Sequence, residues 1–199
     1  MNKTAGDRIA LIDLDGTVAD YDGALATAME PLYGPDEQRY EGWVNIPPHI
    51  VARRDLVKRQ PGFWRNLPRI QLGFEVVAEL EAVGFELHAL TKGPVKTTGA
   101  WTEKVEWCQE NMPKANVTIT QDKSLVYGRV LFDDFPPYFE AWQKVRPRGL
   151  VICIAHPWNE MYASNRGSYR YVVRYDGTNM DSVKERIQGA FERKPGENW

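Results

Sequence analysis

Ile9-Ala10-Leu11-Ile12-Asp13-Leu14-Asp15-Gly16-Thr17 is the first patterned stretch of the chain, and its reading decides the fold. Four consecutive apolar residues read as a strand buried on both faces. Two carboxylates one residue apart follow at its carboxyl end, and a glycine comes next. In extended backbone alternate side chains point the same way, so Asp13 and Asp15 can share one pocket. Like charges that close resist joint ionisation unless a metal compensates them or one keeps its proton. Such a pair suits one carboxylate attacking while the other handles protons. A strand running into an ordinary polar turn has the same composition, so the decision between the two rests on the remaining strand ends.

Outward from that stretch, strands and helices alternate. Leu72, Val76, Val77, Leu80 and Val83 mark one helical face, which Gly84 ends. Phe85 to Leu90 reads as a strand ending at Thr91-Lys92-Gly93-Pro94. Trp101, Val105, Cys108 and Met112 recur at helical spacing until Pro113. Val117 to Thr120 and Val130 to Phe132 read as short strands, the second ending at Asp133-Asp134. Pro136 and Pro137 suit the first turn of a helix, and Leu150 to Ala155 is a fifth strand. Val183, Ile187 and Phe191 give a closing helix with Asn179 or Asp181 as its cap, and the tail from Lys194 to Trp199 is expected to fray. This alternation predicts an α/β parallel sheet with helices on both faces, whose ligands bind at the carboxyl ends of the strands. Asp13 and Asp15, Thr91 and Lys92, and Asp133 and Asp134 all fall at those ends.

Residues 18–70 break the pattern. Gly34-Pro35, Pro47-Pro48 and Pro61-Gly62 punctuate them and no clear strand appears, so they read as a mostly helical insertion between a core of residues 1–17 and 71–199. A net charge of −2 argues against a nucleic-acid polymer or a membrane surface as partner. No apolar run approaches the roughly 20 residues a membrane span needs. The polar stretch Met1 to Asp7 leads straight into the first strand, so no signal peptide is expected. Cys108 and Cys153 sit in apolar patterns outside any metal-ligand spacing, which predicts buried thiols and a cytoplasmic protein. Some of the seven tryptophans are surplus to a core of this size and available to line a pocket.

Asp13-Leu14-Asp15-Gly16-Thr17, Thr91, Lys123 and Asp133-Asp134, in that order, resemble the four motifs of the haloacid dehalogenase-like (HAD) superfamily, mostly magnesium-dependent phosphatases. Asp122-Lys123-Ser124-Leu125-Val126, Leu131-Phe132-Asp133-Asp134, Ala100-Trp101-Thr102-Glu103-Lys104 and the placement of the insertion further resemble the 5′(3′)-deoxyribonucleotidases. Where that family often carries an arginine after the acidic pair, this chain has Phe135. Its small-residue turn after the second motif is here Lys92-Gly93-Pro94. The resemblance implies a Rossmann-like three-layer α/β/α core with a small helical cap, and hydrolysis of (deoxy)nucleoside 5′- or 3′-monophosphates. A sugar phosphate or other small metabolite as substrate, or a non-catalytic nucleotide-binding protein of the same fold, are the alternatives.

Carried onto this chain, the resemblance makes Asp13 the nucleophile and Asp15 the acid and then base. Mg²⁺ would be held by Asp13, the backbone carbonyl of Asp15 and Asp134, with Asp133 orienting a metal-bound water or Lys123. Thr91 and the backbone at Lys92 and Gly93 would hold phosphate oxygens, Lys92 would add a charge, and Lys123 would neutralise nucleophile and phosphate. Lys104 reads equally as a phosphate contact or as an exposed helix face. Tyr21, Trp43, Phe63 and Trp64 are candidates to stack on a base, with Phe63 and Trp64 favoured. Arg53, Arg54, Lys58 and Arg59 read as a solvated face. His156-Pro157-Trp158-Asn159 falls at the site edge without a catalytic role. A homodimer rests on the resemblance alone.

Overall fold

The computed structural model describes residues 8–163 and 171–194. Residues 195–199 of the expected frayed tail lie outside them, as do residues 1–7. Six parallel strands make one sheet: β1 (Ile9–Ile12), β2 (Glu86–Lys92), β3 (Asn116–Thr120), β4 (Val130–Phe132), β5 (Leu150–Ile154) and β6 (Val172–Tyr175), in the order β3-β2-β1-β4-β5-β6. This is the parallel sheet that the alternation predicts, in the Rossmann-like three-layer form that the resemblance implies.

Alternate residues along the strands feed the two faces. Ala10, Ile12, Phe132 and Ile152 meet side chains of α3 (Gln71–Val83), α4 (Gly99–Asn111) and α6 (Met180–Glu192) on one face. Leu11, Leu131, Val151 and Cys153 meet Phe139 and Trp142 of α5 (Pro136–Val145) on the other. Both cysteines are buried free thiols. Gly84 ends α3 in the left-handed conformation, with φ of 103°, and Pro136-Pro137 begin α5. Asn179 occupies the cap position of α6 but does not cap it; its amide instead donates to Arg174 O.

β6 has no counterpart in the sequence reading. Among the described residues between β5 and β6 the chain forms a 3-10 turn (Pro157–Tyr162) and no α-helix.

The order in which successive strands are added reverses between β1 and β4, parallel neighbours that pair Ile12 with Phe132. A crevice opens at the carboxyl ends of strands at such a reversal. Asp13 and Asp133 are the next residues on each strand, and Asp13 N donates to Phe132 O at 2.9 Å.

Between β1 and α3 the chain forms α1 (Tyr21–Met29) and α2 (Pro48–Lys58) and a run of turns over residues 61–66. Its entry and exit lie side by side: Asp20 N donates to Pro68 O and Ile70 N to Val18 O. Among the described residues no helix is long and apolar enough to cross a membrane.

Candidate active site

The turn after β1 is tight. Thr17, Val18 and Ala19 all donate backbone N–H groups to Leu14 O. Gly16 has φ of 74°, and a Cβ there would come within 2.8 Å of the Asp134 carboxylate. Only glycine meets both conditions, so the Asp-Gly junction brings the β1 turn directly against the end of β4.

Asp13, Lys123 and Asp133 form a buried chain of charge. Lys123 Nζ lies 2.7 Å from Asp13 Oδ1 and 2.6 Å from Asp133 Oδ2. Burial opposes the ammonium, but Asp13 and Asp133 outweigh it and hold Lys123 above its ordinary pKa. The other Asp133 oxygen accepts from Phe135 N at 3.0 Å. Burial nevertheless pushes Asp133 up to about 6 against the pull of Lys123.

Asp134 is fixed from two sides. Thr17 Oγ1 donates to its Oδ1 at 3.1 Å and Trp158 Nε1 to its Oδ2 at 3.2 Å. Asn159 Nδ2 holds the Asp134 carbonyl at 2.8 Å, and His156 Nε2 donates to Gly16 O at 2.7 Å. Burial, then Asp133, then Asp13, raise the Asp134 carboxyl well above the usual range. One oxygen each from Asp13, Asp133 and Asp134 lie within 4.8 Å of one another. A buried cluster of three carboxylates, of which Asp133 and Asp134 are raised, fits a hard divalent cation, whose charge would reverse those two shifts.

Asp15 has a different environment. Its Oδ2 accepts from Lys104 Nζ at 2.5 Å, and Oδ1 is buried with no hydrogen-bond partner among the described residues. Burial raises its pKa; Lys104 opposes this and Asp13 reinforces it. Lys104 also donates to Thr91 Oγ1 at 2.9 Å, leaving the threonine proton for another acceptor. Lys104 is only 1% exposed, so the helix face that carries it is not a solvated one. The sequence signal was its helical neighbours Ala100, Trp107 and Cys108, all buried on the same stripe of α4.

Asp13, Asp15, Gly16, Lys123 and Asp134, together with Lys92 and Gly93, line a cavity of about 990 Å³. Lys92 Nζ lies 3.2 Å from the Tyr138 hydroxyl. A Cβ on Gly93 would come within 2.3 Å of the Trp101 ring, so this close approach requires glycine. Thr91, Lys104 and Asp133 lie behind the wall rather than on it.

The far wall is aromatic. Trp43 and Trp64 both stack on Tyr21, at 5.6 and 5.2 Å between centroids. Trp64 is buried and Trp43 is 52% exposed, so Trp43 carries the accessible ring. Phe63 packs edge-on against Tyr21 and Trp64 and does not line the cavity. Arg54 departs from the expected solvated face. It is buried, donates to Gly42 O and Tyr40 O at 2.6 and 2.5 Å, and lies over the Trp43 ring at 5.2 Å. Arg54 thereby anchors the loop that presents Trp43. Lys58 pairs with Asp55 at 2.7 Å on the same wall.

The model of a family described as 5′ nucleotidase, deoxy (pyrimidine), cytosolic type C protein matches residues 7–172. A protein of Bordetella bronchiseptica assigned as a 5′(3′)-deoxyribonucleotidase is 27% identical over 161 residues, 76% of this chain and 85% of that protein. The cytosolic-type 5′(3′)-deoxyribonucleotidase of Homo sapiens is 27% identical over 139 residues, 62% of this chain and 69% of its own. A solved HAD family hydrolase from Deinococcus radiodurans, with bound phosphate and sodium, is similar in fold. It has a TM-score of 0.54 at 13% identity, over 96% of this chain and 100% of that one.

Proposed function

The chain belongs to the 5′ nucleotidase, deoxy (pyrimidine), cytosolic type C family, a HAD-like group of phosphoric monoester hydrolases, and from that premise we propose a Mg²⁺-dependent deoxyribonucleoside monophosphatase working through Asp13. The observation that carries this reading is the unequal environment of two adjacent carboxylates. Asp13 lies 2.7 Å from the Lys123 ammonium, which orients the carboxylate that attacks as nucleophile. Asp15 is raised by burial against the pull of Lys104, and its Oδ1 is buried with no partner among the described residues, which suits a carboxyl that gives and takes a proton.

Asp13, the backbone carbonyl of Asp15 and Asp134 would hold Mg²⁺. Bound there, the ion offsets repulsion between nucleophile and phosphate and stabilises the transferring phosphoryl group. The Asp13 carboxylate attacks phosphorus, the bond to the sugar oxygen breaks, and Asp15 gives that oxygen its proton. The Asp15 carboxylate then takes a proton from water as the water attacks the aspartyl-phosphate, releasing phosphate and restoring Asp13. Lys123 and Lys104 flank the two carboxylates, and the N–H groups of Lys92 and Gly93 hold phosphate oxygens, with Thr91 behind them accepting from Lys104. Asp133, with both oxygens engaged, orients Lys123.

Residues 18–70 act as a cap that excludes water and reads the leaving group. Trp43 offers a base its exposed face, and a cavity of about 990 Å³ has room for a nucleoside monophosphate. The two buried free thiols suit a reducing, cytoplasmic setting.

Phosphate release from a panel of nucleoside monophosphates and sugar phosphates, with Mg²⁺ and with EDTA, tests the proposal. Metal-dependent release chiefly from deoxyribonucleotides supports it. Release chiefly from sugar phosphates keeps the chemistry and refutes the substrate class.

A further inference from the structure

Next to Lys104 on α4, Glu103 joins the core to the insertion. Its Oε1 accepts from Gly62 N at 2.7 Å, and its Oε2 from Trp64 N at 3.0 Å and Arg65 N at 3.3 Å. Within the same turn, Phe63 N donates to Gln60 O and Asn66 N to Gly62 O. Glu103 therefore takes the turn's backbone donors on either side of Phe63, at Gly62, Trp64 and Arg65, and bonds from N–H groups to a carboxylate are stronger than neutral ones.

That turn carries Trp64. The Trp64 indole N–H donates to Lys58 O at 2.9 Å, and its ring stacks on Tyr21. Lys104 Nζ lies 4.8 Å from the Trp64 ring centroid, so this ring helps cover the Lys104 ammonium that holds Asp15. Further along α4, Trp107 Nε1 donates to Leu67 O at 2.8 Å, and Asn111 Oδ1 accepts from Arg69 Nε at 2.6 Å. Residues 103, 107 and 111 recur every four positions, one stripe of the helix gripping the exit of the insertion.

We propose that Glu103 is a positioning residue for proton transfer: it holds the 61–66 turn, the turn holds Trp64 over Lys104, and Lys104 holds Asp15 on the leaving oxygen. The inference rests on Asp15 being the acid. It makes proton delivery depend on the docking of the insertion, through a side chain that does not itself line the cavity.

Leaving-group chemistry separates this role from a merely structural one. A sugar alkoxide needs a proton to depart, whereas a nitrophenolate does not. The ratio kcat/KM includes only steps up to leaving-group departure, so it isolates the first proton transfer. The full chain with Mg²⁺ would be assayed as wild type, Glu103→Ala, Glu103→Gln and Asp15→Asn, on a deoxyribonucleoside monophosphate and on p-nitrophenyl phosphate. Thermal melts would accompany each variant.

Glu103→Ala is expected to lose about 10-fold in kcat/KM on the nucleotide, part of the roughly 100-fold that a 1 Å misplacement can cost, and under about 3-fold on the aryl ester. Glu103→Gln, which keeps one accepting oxygen, should fall between wild type and alanine on the nucleotide. Equal losses on both substrates, or none, in whichever of the two variants folds would overturn the proposal. Equal losses on both substrates in Asp15→Asn would instead remove its premise.

Discussion

Replacing Lys104 with methionine removes a charge from the candidate site while keeping an unbranched apolar stem against Trp64. The ammonium is 1% exposed and 2.5 Å from Asp15 Oδ2. Removing one partner of a buried ion pair costs about 3–5 kcal/mol when the other stays charged. Asp15 escapes part of that cost by taking up a proton, and the escape depends on pH. Burial already raises the Asp15 carboxyl, and Lys104 is the chief influence pulling it back, so its loss raises the carboxyl further. A carboxyl raised in the folded state binds its proton more tightly there than in the unfolded chain. The resulting destabilisation is absent below the unfolded value of about 3.9 and grows as pH rises toward the folded value.

Melts of metal-free protein in EDTA at about pH 5 and about pH 8 read this directly. At the higher pH the variant should lose about 3 kcal/mol, or about 6–12 °C in Tm for a chain of this length. At the lower pH the deficit should be clearly smaller. A deficit of the same size at both values, or none at either, would refute the assignment of Lys104 as the counter-charge of Asp15.

Asp13→Asn should abolish turnover, by more than about 1,000-fold, while Tm stays near wild type, because Lys123 keeps Asp133 at 2.6 Å; melting together with the activity loss would argue for a structural role. Thr17→Val deletes the hydroxyl that orients Asp134 at 3.1 Å. It should weaken Mg²⁺ binding by about 10–100-fold in a calorimetric titration, and unchanged affinity would remove Asp134 from the ligand set.

The sheet was legible where buried apolar runs ended in carboxylates: β1 and β4 stand within a residue of their expected places, and the reversal between them joins the two acidic ends. β6 was missed because Tyr171 to Tyr175, although rich in β-branched and aromatic residues, follows a 3-10 turn and no α-helix among the described residues after β5. Lys104 was legible only in part. A lysine on a helix is usually solvated, and what buries this one is a carboxylate 89 positions away together with a tryptophan from the insertion. Arg54 was misread for a related reason, since its partners are two backbone carbonyls in a loop that carries no pattern of its own. Among the aromatics, composition identified the group but not the accessible member. Exposure depends on how Tyr21 stacks with its two neighbours, which places Trp43 outermost and Phe63 behind.

Asp13 as nucleophile is the central claim, and trapping the intermediate tests it most directly. Wild-type protein with Mg²⁺ and a deoxyribonucleoside monophosphate would be quenched during turnover, reduced with borohydride and mapped by peptide mass spectrometry. The account predicts an acyl-phosphate reduced to homoserine at position 13, absent from Asp13→Asn. Undiminished turnover by Asp13→Asn, or the reduced residue at another position, would contradict it.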